Sequence, residues 1–204
     1  MPTTNFKSKL AARRRFSLSL GCAAGLTALP TCVPAQPQVP SLVGDDLDVP
    51  YVTSPQNVVD AMLELAGVGP NDVLLDLGSG DGRIVITAAE RFGTRGTGIE
   101  IDPRLIARAR AGAQAAGVSS RVTFLEQDLF ATDLTAASVI TLYLLPAVNM
   151  KLRPALRKLK PGTRIISHDW DMGDWEPDRQ VVVDAPEKKI GIAKTSRLML
   201  WIVR

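Results

Sequence analysis

The chain is poor in the residues that hold metals and disulfides. Its 204 residues include one histidine and two cysteines, and no His, Cys, Asp or Glu cluster stands at ligand spacing, so a zinc or iron centre has no ligand set. Both cysteines, Cys22 and Cys32, lie near the N-terminus. Long hydrophobic runs are missing as well: the mildly apolar stretch Leu18 to Leu29 is too short to span a bilayer. There is no internal repeat and no low-complexity tract. A basic nucleic-acid-binding surface is not supported by composition either. Five of the 24 basic residues, Lys7, Lys9, Arg13, Arg14 and Arg15, lie in a first segment without acids, and the remainder carries 19 basic against 21 acidic residues.

That first segment reads as a targeting sequence. Arg13, Arg14, Arg15, Phe16, Ser17 and Leu18 resemble the twin-arginine export motif, and Val33 and Ala35 provide small residues before a cut that would leave Gln36 first. Residues 1–35 are therefore expected to be a signal peptide and the protein periplasmic or exported, with cytoplasmic residence the alternative. Neither SLGC nor LPTC has the small residues of a lipoprotein cysteine. Cleavage would discard both cysteines, leaving no disulfide despite an oxidising compartment. Pro37, Pro40 and Pro50 with Gly44, Asp45, Asp46 and Asp48 make residues 36–50 a proline-rich linker. The folded domain is expected over residues 51–204, enough for one core.

Within that domain the run from Leu74 to Gly93 reads as strand, glycine turn and helix. Asp76 follows apolar Val73, Leu74 and Leu75; Gly78, Gly80 and Gly82 alternate with Ser79 and Asp81; a helix-period stretch begins at Arg83. A dinucleotide site has its glycines as GxGxxG and lays a pyrophosphate on the helix N-terminus. Here the third glycine comes one position early, and Asp81 puts a carboxylate where phosphate charge would sit. A cationic, sulfonium-bearing methyl donor suits this turn better than NAD. Glu100 ends a second strand-like run 24 positions after Asp76, near the spacing of a ribose acid. A third run, Arg121 to Phe130, is expected to end its strand at Asp128.

The surrounding pattern alternates helices and strands. Ser54 and Pro55 open a helix that Gly67 stops, and Asp102 and Pro103 open another that Gly117 stops. Ala137 to Leu145 reads as a strand buried on both sides, Thr163 to His168 as the next, and Gln180 to Val183 and Leu198 to Val203 as the last two. The expected fold is α/β, with a seven-stranded, mostly parallel, Rossmann-like sheet and helices on both faces.

DLGSGDG, GIEID and EQDLF, in this order and spacing, resemble the cofactor motifs of the class I S-adenosylmethionine-dependent methyltransferases, over roughly residues 51–204. The resemblance implies an antiparallel last strand and S-adenosyl-L-methionine as cofactor. It implies that Asp76, Gly78, Ser79, Gly80, Asp81 and Gly82 hold the methionine part and that Glu100 takes the ribose hydroxyls. Ile101 and Leu129 would sandwich the adenine, and Asp128 would accept from its amine. Asp81 as a helix cap and Ile101 as core are the structural alternatives. At the ends of the fourth and fifth strands, where this class places substrate contacts, stand Thr141, Tyr143 and Pro146, then His168, Asp169 and Trp170. Tyr143, His168 and Asp169 are the candidate catalytic residues, with His168 able to remove a proton near neutral pH.

The segment His168 to Asp178 joins five acids, Asp169, Asp171, Asp174, Glu176 and Asp178, to Trp170 and Trp175, a combination that suits a cationic amine, while a solvated acidic loop is the alternative. Lys151, Arg153, Arg157, Lys158 and Lys160 read as the wet face of a helix. PYVTSP, DLGSGDGRIV and TLYLLP are similar to small bacterial methyltransferases related to the mitochondrial lysine methyltransferases of the ATP synthase c subunit and the adenine nucleotide carrier. By that resemblance Tyr51 and Thr53 sit over the cofactor. The asparagine-proline-proline-tyrosine motif of DNA-base and glutamine amide methyltransferases is missing. The expected function is transfer to a protein lysine or other amine, with no nucleic acid as partner. An exported cofactor-binding protein without turnover and an NAD-dependent dehydrogenase are the alternatives.

Overall fold

The computed structural model describes residues 51–189 and 191–204. The expected signal peptide, the linker, Cys22 and Cys32 lie outside the described residues. Helix α1 (Gln56–Leu65) precedes an alternation of β1 (Val73–Leu77), α2 (Arg83–Phe92), β2 (Arg95–Glu100), α3 (Pro103–Ala115) and β3 (Val122–Glu126), followed by a 3-10 turn at Leu129–Ala131. Then come β4 (Val139–Leu142), α4 (Pro146–Leu156), β5 (Arg164–His168), β6 (Arg179–Asp184) and β7 (Thr195–Ile202). The seven strands form one sheet in the order β3-β2-β1-β4-β5-β7-β6, and β7 alone runs antiparallel to its neighbours.

Period-two alternation divides the core. Leu74, Val139, Ile166, Leu198 and Leu200 face one layer with Val58, Met62, Val85, Ala88 and Ala109 of α1 to α3. Leu75, Leu77, Ile140, Leu142, Ile165 and Trp201 face the other with Leu152 and Leu156 of α4. Strand β4 is buried along its whole length, as a central strand covered on both faces must be. Strand order reverses between β1 and β4, which opens a crevice at their carboxyl ends. Among the described residues no helix is long and apolar enough to cross a membrane.

Two expectations of local structure are corrected. The fourth strand is four residues long instead of nine. Its neighbour β1 ends at Leu77, opposite Leu142, and turns away at Gly78, so Tyr143, Leu144 and Leu145 have no ladder partner there and form a rim before Pro146 opens α4. The third strand ends at Glu126, paired with Glu100; Asp128 lies beyond it and caps the 3-10 turn, accepting from Phe130 N at 2.8 Å. Ser54 and Pro55 stand directly before α1 as expected, and the Ser54 hydroxyl reaches across to His168. The helix starts from Pro55, whose carbonyl accepts from Val58 and Val59.

Gly82 starts α2 at φ +78°, and a Cβ there would stand 2.6 Å from the Phe124 ring of β3 and 2.8 Å from Ala109 of α3. Gly82→Ala combines left-handed backbone strain with overpacking and should destabilise the protein by about 2–4 kcal/mol; urea unfolding checks this, and an unchanged midpoint contradicts the packing described.

Candidate active site

The glycine turn is an extension of the sheet. Gly78 N and Ser79 N both donate to Ile99 O, at 2.9 and 2.8 Å, and Gly80 N donates to Glu100 Oε2 at 2.9 Å. The other Glu100 oxygen accepts from Ile101 N at 2.8 Å and Asp102 N at 3.0 Å. One carboxylate therefore joins the turn to the end of β2, and it keeps one lone pair to spare, on Oε2. Gly78 and Gly80 have φ of +76° and +55°. A Cβ on them would meet Leu144 at 2.7 Å and the Tyr51 ring at 2.6 Å, so the backbone lies bare against the rim of the crevice.

Asp76 is buried beneath this turn, in register with Thr141 of β4, whose hydroxyl donates to its Oδ1 at 2.6 Å. Burial pushes its pKa up to about 7; the Thr141 hydrogen bond opposes the shift, and the Glu100 and Asp81 charges add to it. A buried acid so poorly compensated favours a cation beside it. The Ser79 hydroxyl is likewise buried, with no hydrogen-bond partner among the described residues.

Asp81 differs from the bare carboxylate read from the sequence. Arg83 grips it with Nε at 2.9 Å and Nη2 at 2.6 Å. Burial raises its pKa, but the guanidinium more than offsets that and holds the carboxyl below its ordinary range. Repulsion of a pyrophosphate by Asp81 is thus weaker than expected. Tyr51 stands beside this pair, its phenol pushed up by burial and then by Asp81. Ile101 is 56 % exposed, an apolar side chain facing out next to Glu100 and no part of the core. Leu129 is partly buried against the α4 layer, and Asp128 is exposed at the start of the 3-10 turn.

On the other side of the crevice lies a cavity of 460 Å³ whose walls include Val52, Tyr143, Leu144, Leu145, Asp169 and Trp170. The side chain of Leu144 belongs to both regions, since it also covers Gly78. His168, expected to remove a proton, is fully buried behind this wall. Its Nδ1 lies 2.8 Å from Ser54 Oγ and its Nε2 2.8 Å from Ser196 Oγ. Burial, opposed by Asp169 and aided by Lys188, lowers its pKa to about 4, so at neutral pH the ring is neutral and both nitrogens are engaged. It supports Tyr143 instead, whose ring stacks on it at 3.9 Å and 21°. This role was missed because the serine partners are far apart in the chain, 114 and 28 residues from the histidine.

The acidic segment is mostly consumed by internal pairing. Asp169 pairs with Lys188 at 2.7 Å, Asp171 with Arg197 at 3.4 Å, Asp174 with Arg153 and Asp178 with Arg204. Trp175 packs against Trp201. Only Asp169 and Trp170 of the segment line the cavity. The α4 cations are not simply a wet face. Arg153 also donates to Met172 O at 2.8 Å, Lys151 sits 3.8 Å over the Phe130 ring and Arg157 5.0 Å over Trp175.

The chain is similar to known proteins. Residues 76–179 match the ANTKMT methyltransferase domain. A protein-lysine N-methyltransferase of Saccharolobus islandicus is 43% identical over 138 residues, covering 67% of this chain and 86% of that protein. The chain belongs to the ANTKMT methyltransferase domain family. The mouse adenine nucleotide translocase lysine N-methyltransferase is 36% identical over 64% of this chain, which spans 57% of that relative. A structure of an RNA methyltransferase from Salinibacter ruber in complex with S-adenosyl-L-homocysteine is 53% identical, with a TM-score of 0.67 over 74% of this chain and 94% of that one. This family member is thus an S-adenosyl-L-methionine-dependent methyltransferase with the Rossmann-like fold of its class, and the NAD-dependent dehydrogenase alternative falls.

The raised pKa of Asp76 has a consequence for stability. A carboxyl with a folded pKa near 7 binds more protons folded than unfolded between about pH 4 and 7, so it lowers stability as pH rises through that window. Asp76→Asn should therefore stabilise the ligand-free protein at pH 8, by up to about 4 kcal/mol, with the gain shrinking towards zero at pH 4. Thermal unfolding of both proteins across this range checks it; a gain independent of pH rules out the titration of Asp76 as its source.

Proposed function

We propose that the protein transfers a methyl group from S-adenosyl-L-methionine to the side-chain amine of a protein lysine. The single observation that carries this reading is the cavity beside the glycine turn: apolar walls from Val52, Leu144 and Leu145, aromatic walls from Tyr143 and Trp170, and one carboxylate, Asp169, which in the free protein faces two cations of the same wall, Lys188 and Arg197. An aliphatic stem with a cationic end matches that lining. The lysine N-methyltransferases among its relatives support the same choice.

The cofactor fits the residues present. In this reading the ammonium of its methionine part sits by Asp76, the bare backbone of Gly78 to Gly82 passes alongside, Asp81 closes the turn through Arg83, and Glu100 accepts from the ribose hydroxyls. Ile101 and Leu129 flank the adenine, with Asp128 at its edge; Tyr51 and Thr53 cover the site. S-adenosyl-L-methionine supplies an electrophilic methyl: a nitrogen–carbon bond forms, the carbon–sulfur bond breaks and its electron pair stays on sulfur. The chain's own part is positioning. The lysine enters as an ammonium and gives one proton to solvent; apolar walls favour the neutral amine so formed, whose lone pair takes the methyl, and the product is a methylated ammonium. Burial, then the Asp169 charge, raise the Tyr143 pKa, so its phenol stays protonated and its oxygen accepts from the amine N–H, aiming the lone pair. His168 holds that ring in place.

A second reading, transfer to RNA, is favoured by the description of the Salinibacter relative. Labelled methyl donor and purified protein added to a deletion-strain lysate distinguish the two. Label is expected in protein, on lysine after hydrolysis, and insensitive to ribonuclease; label confined to RNA overturns the lysine assignment. Cofactor binding with no label transferred anywhere favours the alternative of a binding protein without turnover. Asp76→Asn is expected to bind S-adenosyl-L-homocysteine about tenfold or more weakly, for loss of a charged hydrogen bond.

We also propose that Arg13 to Leu18 directs export of the folded protein by the twin-arginine route, with cleavage before Gln36. This rests on the sequence alone. Because that route carries folded proteins, a bound cofactor can travel with the chain. Mass spectrometry of fractionated cells should find a periplasmic form beginning at Gln36; an uncut cytoplasmic form overturns the proposal.

A further inference from the structure

The acceptor cavity already holds a lysine. Lys188, on the connection between β6 and β7, reaches in with its side chain only 12% exposed and sets Nζ 2.7 Å from Asp169 Oδ2 and 2.8 Å from Thr195 O. Asp169 is held to receive it. It is the only non-glycine among the described residues with positive φ, +63°. That strained backbone is fixed on both sides by Arg197: Asp169 N donates to Arg197 O at 2.7 Å, Arg197 N donates to Oδ1 at 3.0 Å, and Arg197 Nη2 donates to Asp169 O at 3.1 Å. With Oδ1 committed to the backbone, Oδ2 is the oxygen turned to an ammonium. Among the described residues no other acid lines this cavity, so its one site for a cation is taken by a cation of the chain itself.

We propose that Lys188 is an internal mimic of the acceptor, seated on the ammonium site of Asp169, and that a substrate lysine enters by displacing it. The inference rests on the lysine reading of the same cavity. It follows from the cost of the alternatives. Removing Lys188 without replacement leaves a mostly buried carboxylate unpaired, which is expensive. Exchanging it for another primary ammonium on an aliphatic stem keeps Asp169 paired and releases Lys188 to water. A neutral or anionic guest cannot make that exchange. Asp169 and Lys188 together thus act as a filter for amines, selecting by the penalty imposed on everything else. Displacement breaks the two Nζ bonds, to Asp169 and to Thr195 O; among the described residues the backbone of Lys188 is held by short-range bonds of its own loop, Lys188 N to Ala185 O at 3.0 Å and Lys194 Nζ to Lys188 O at 2.8 Å.

The test uses the full chain saturated with S-adenosyl-L-homocysteine and n-butylammonium as the probe, titrated by NMR. Lys188→Met and Lys188→Gln remove the internal cation while keeping side-chain length. Both should bind the probe about tenfold more tightly than the wild type, because no internal cation then competes for Asp169. Adding Asp169→Asn to Lys188→Met should abolish that gain. Unchanged or weaker binding in both Lys188 variants, with S-adenosyl-L-homocysteine affinity intact, overturns the proposal. A wild type that methylates no lysine, alongside variants that gain affinity for the amine, refutes the substrate assignment and leaves the displacement standing.

Discussion

Three backbone amides of the glycine turn, those of Gly78, Ser79 and Gly80, are bonded to the end of β2, and the site is built around that tie. Two of the bonds go to Ile99 O and the third to the Glu100 carboxylate, so the turn cannot move without β2 moving. The same tie sets where α2 begins, because Gly82 follows at once and packs against Phe124 and Ala109 with no room for a side chain. It also sets what lies above the turn: Leu144 and Tyr51 close over the bare Gly78 and Gly80, and Leu144 passes that constraint on to the neighbouring cavity.

Electrostatics divides the crevice into two sites that each favour a cation for a different reason. At Asp76 the cause is scarcity of partners, since one threonine hydroxyl faces a buried carboxylate. At Asp169 the cause is geometry: a left-handed residue held between strand ends, with one oxygen bound to the backbone and the other to an ammonium. Leu144 and Tyr143 stand between these sites. Methyl transfer needs two reactants brought nose to tail, and this arrangement provides it with little besides position. The buried Ser54–His168–Ser196 chain fixes the Tyr143 ring from behind, joining the segment before α1 to β5 and β7.

Local pattern made much of the fold legible. Gly67 and Gly117 end α1 and α3 at positive φ as read, Asp102 and Pro103 start α3 as read, and the apolar runs fall on all seven strands. The misreadings share a physical cause. Tyr143 to Leu145 are as apolar as the strand before them, yet a strand lasts only as long as its neighbours, and β1 ends at Leu77. Asp128 was placed at a strand end, but the ladder stops at Glu126. Acids crowded between His168 and Asp178 looked available for a ligand, and distant arginines and a lysine had already claimed four of them.

By itself the sequence determined the alternation of strands and helices, the glycine turn and its acids, because periodicity, capping and left-handed glycine are properties of neighbouring residues. Tertiary structure decided which charges were free. Asp81 finds Arg83 only two positions away, but Asp169 meets Lys188, and His168 meets Ser54 and Ser196, only when distant segments come together. Tertiary structure also decided that the histidine is a support and not a base, since burial and the engagement of both ring nitrogens come from chain segments that meet only when the sheet is complete.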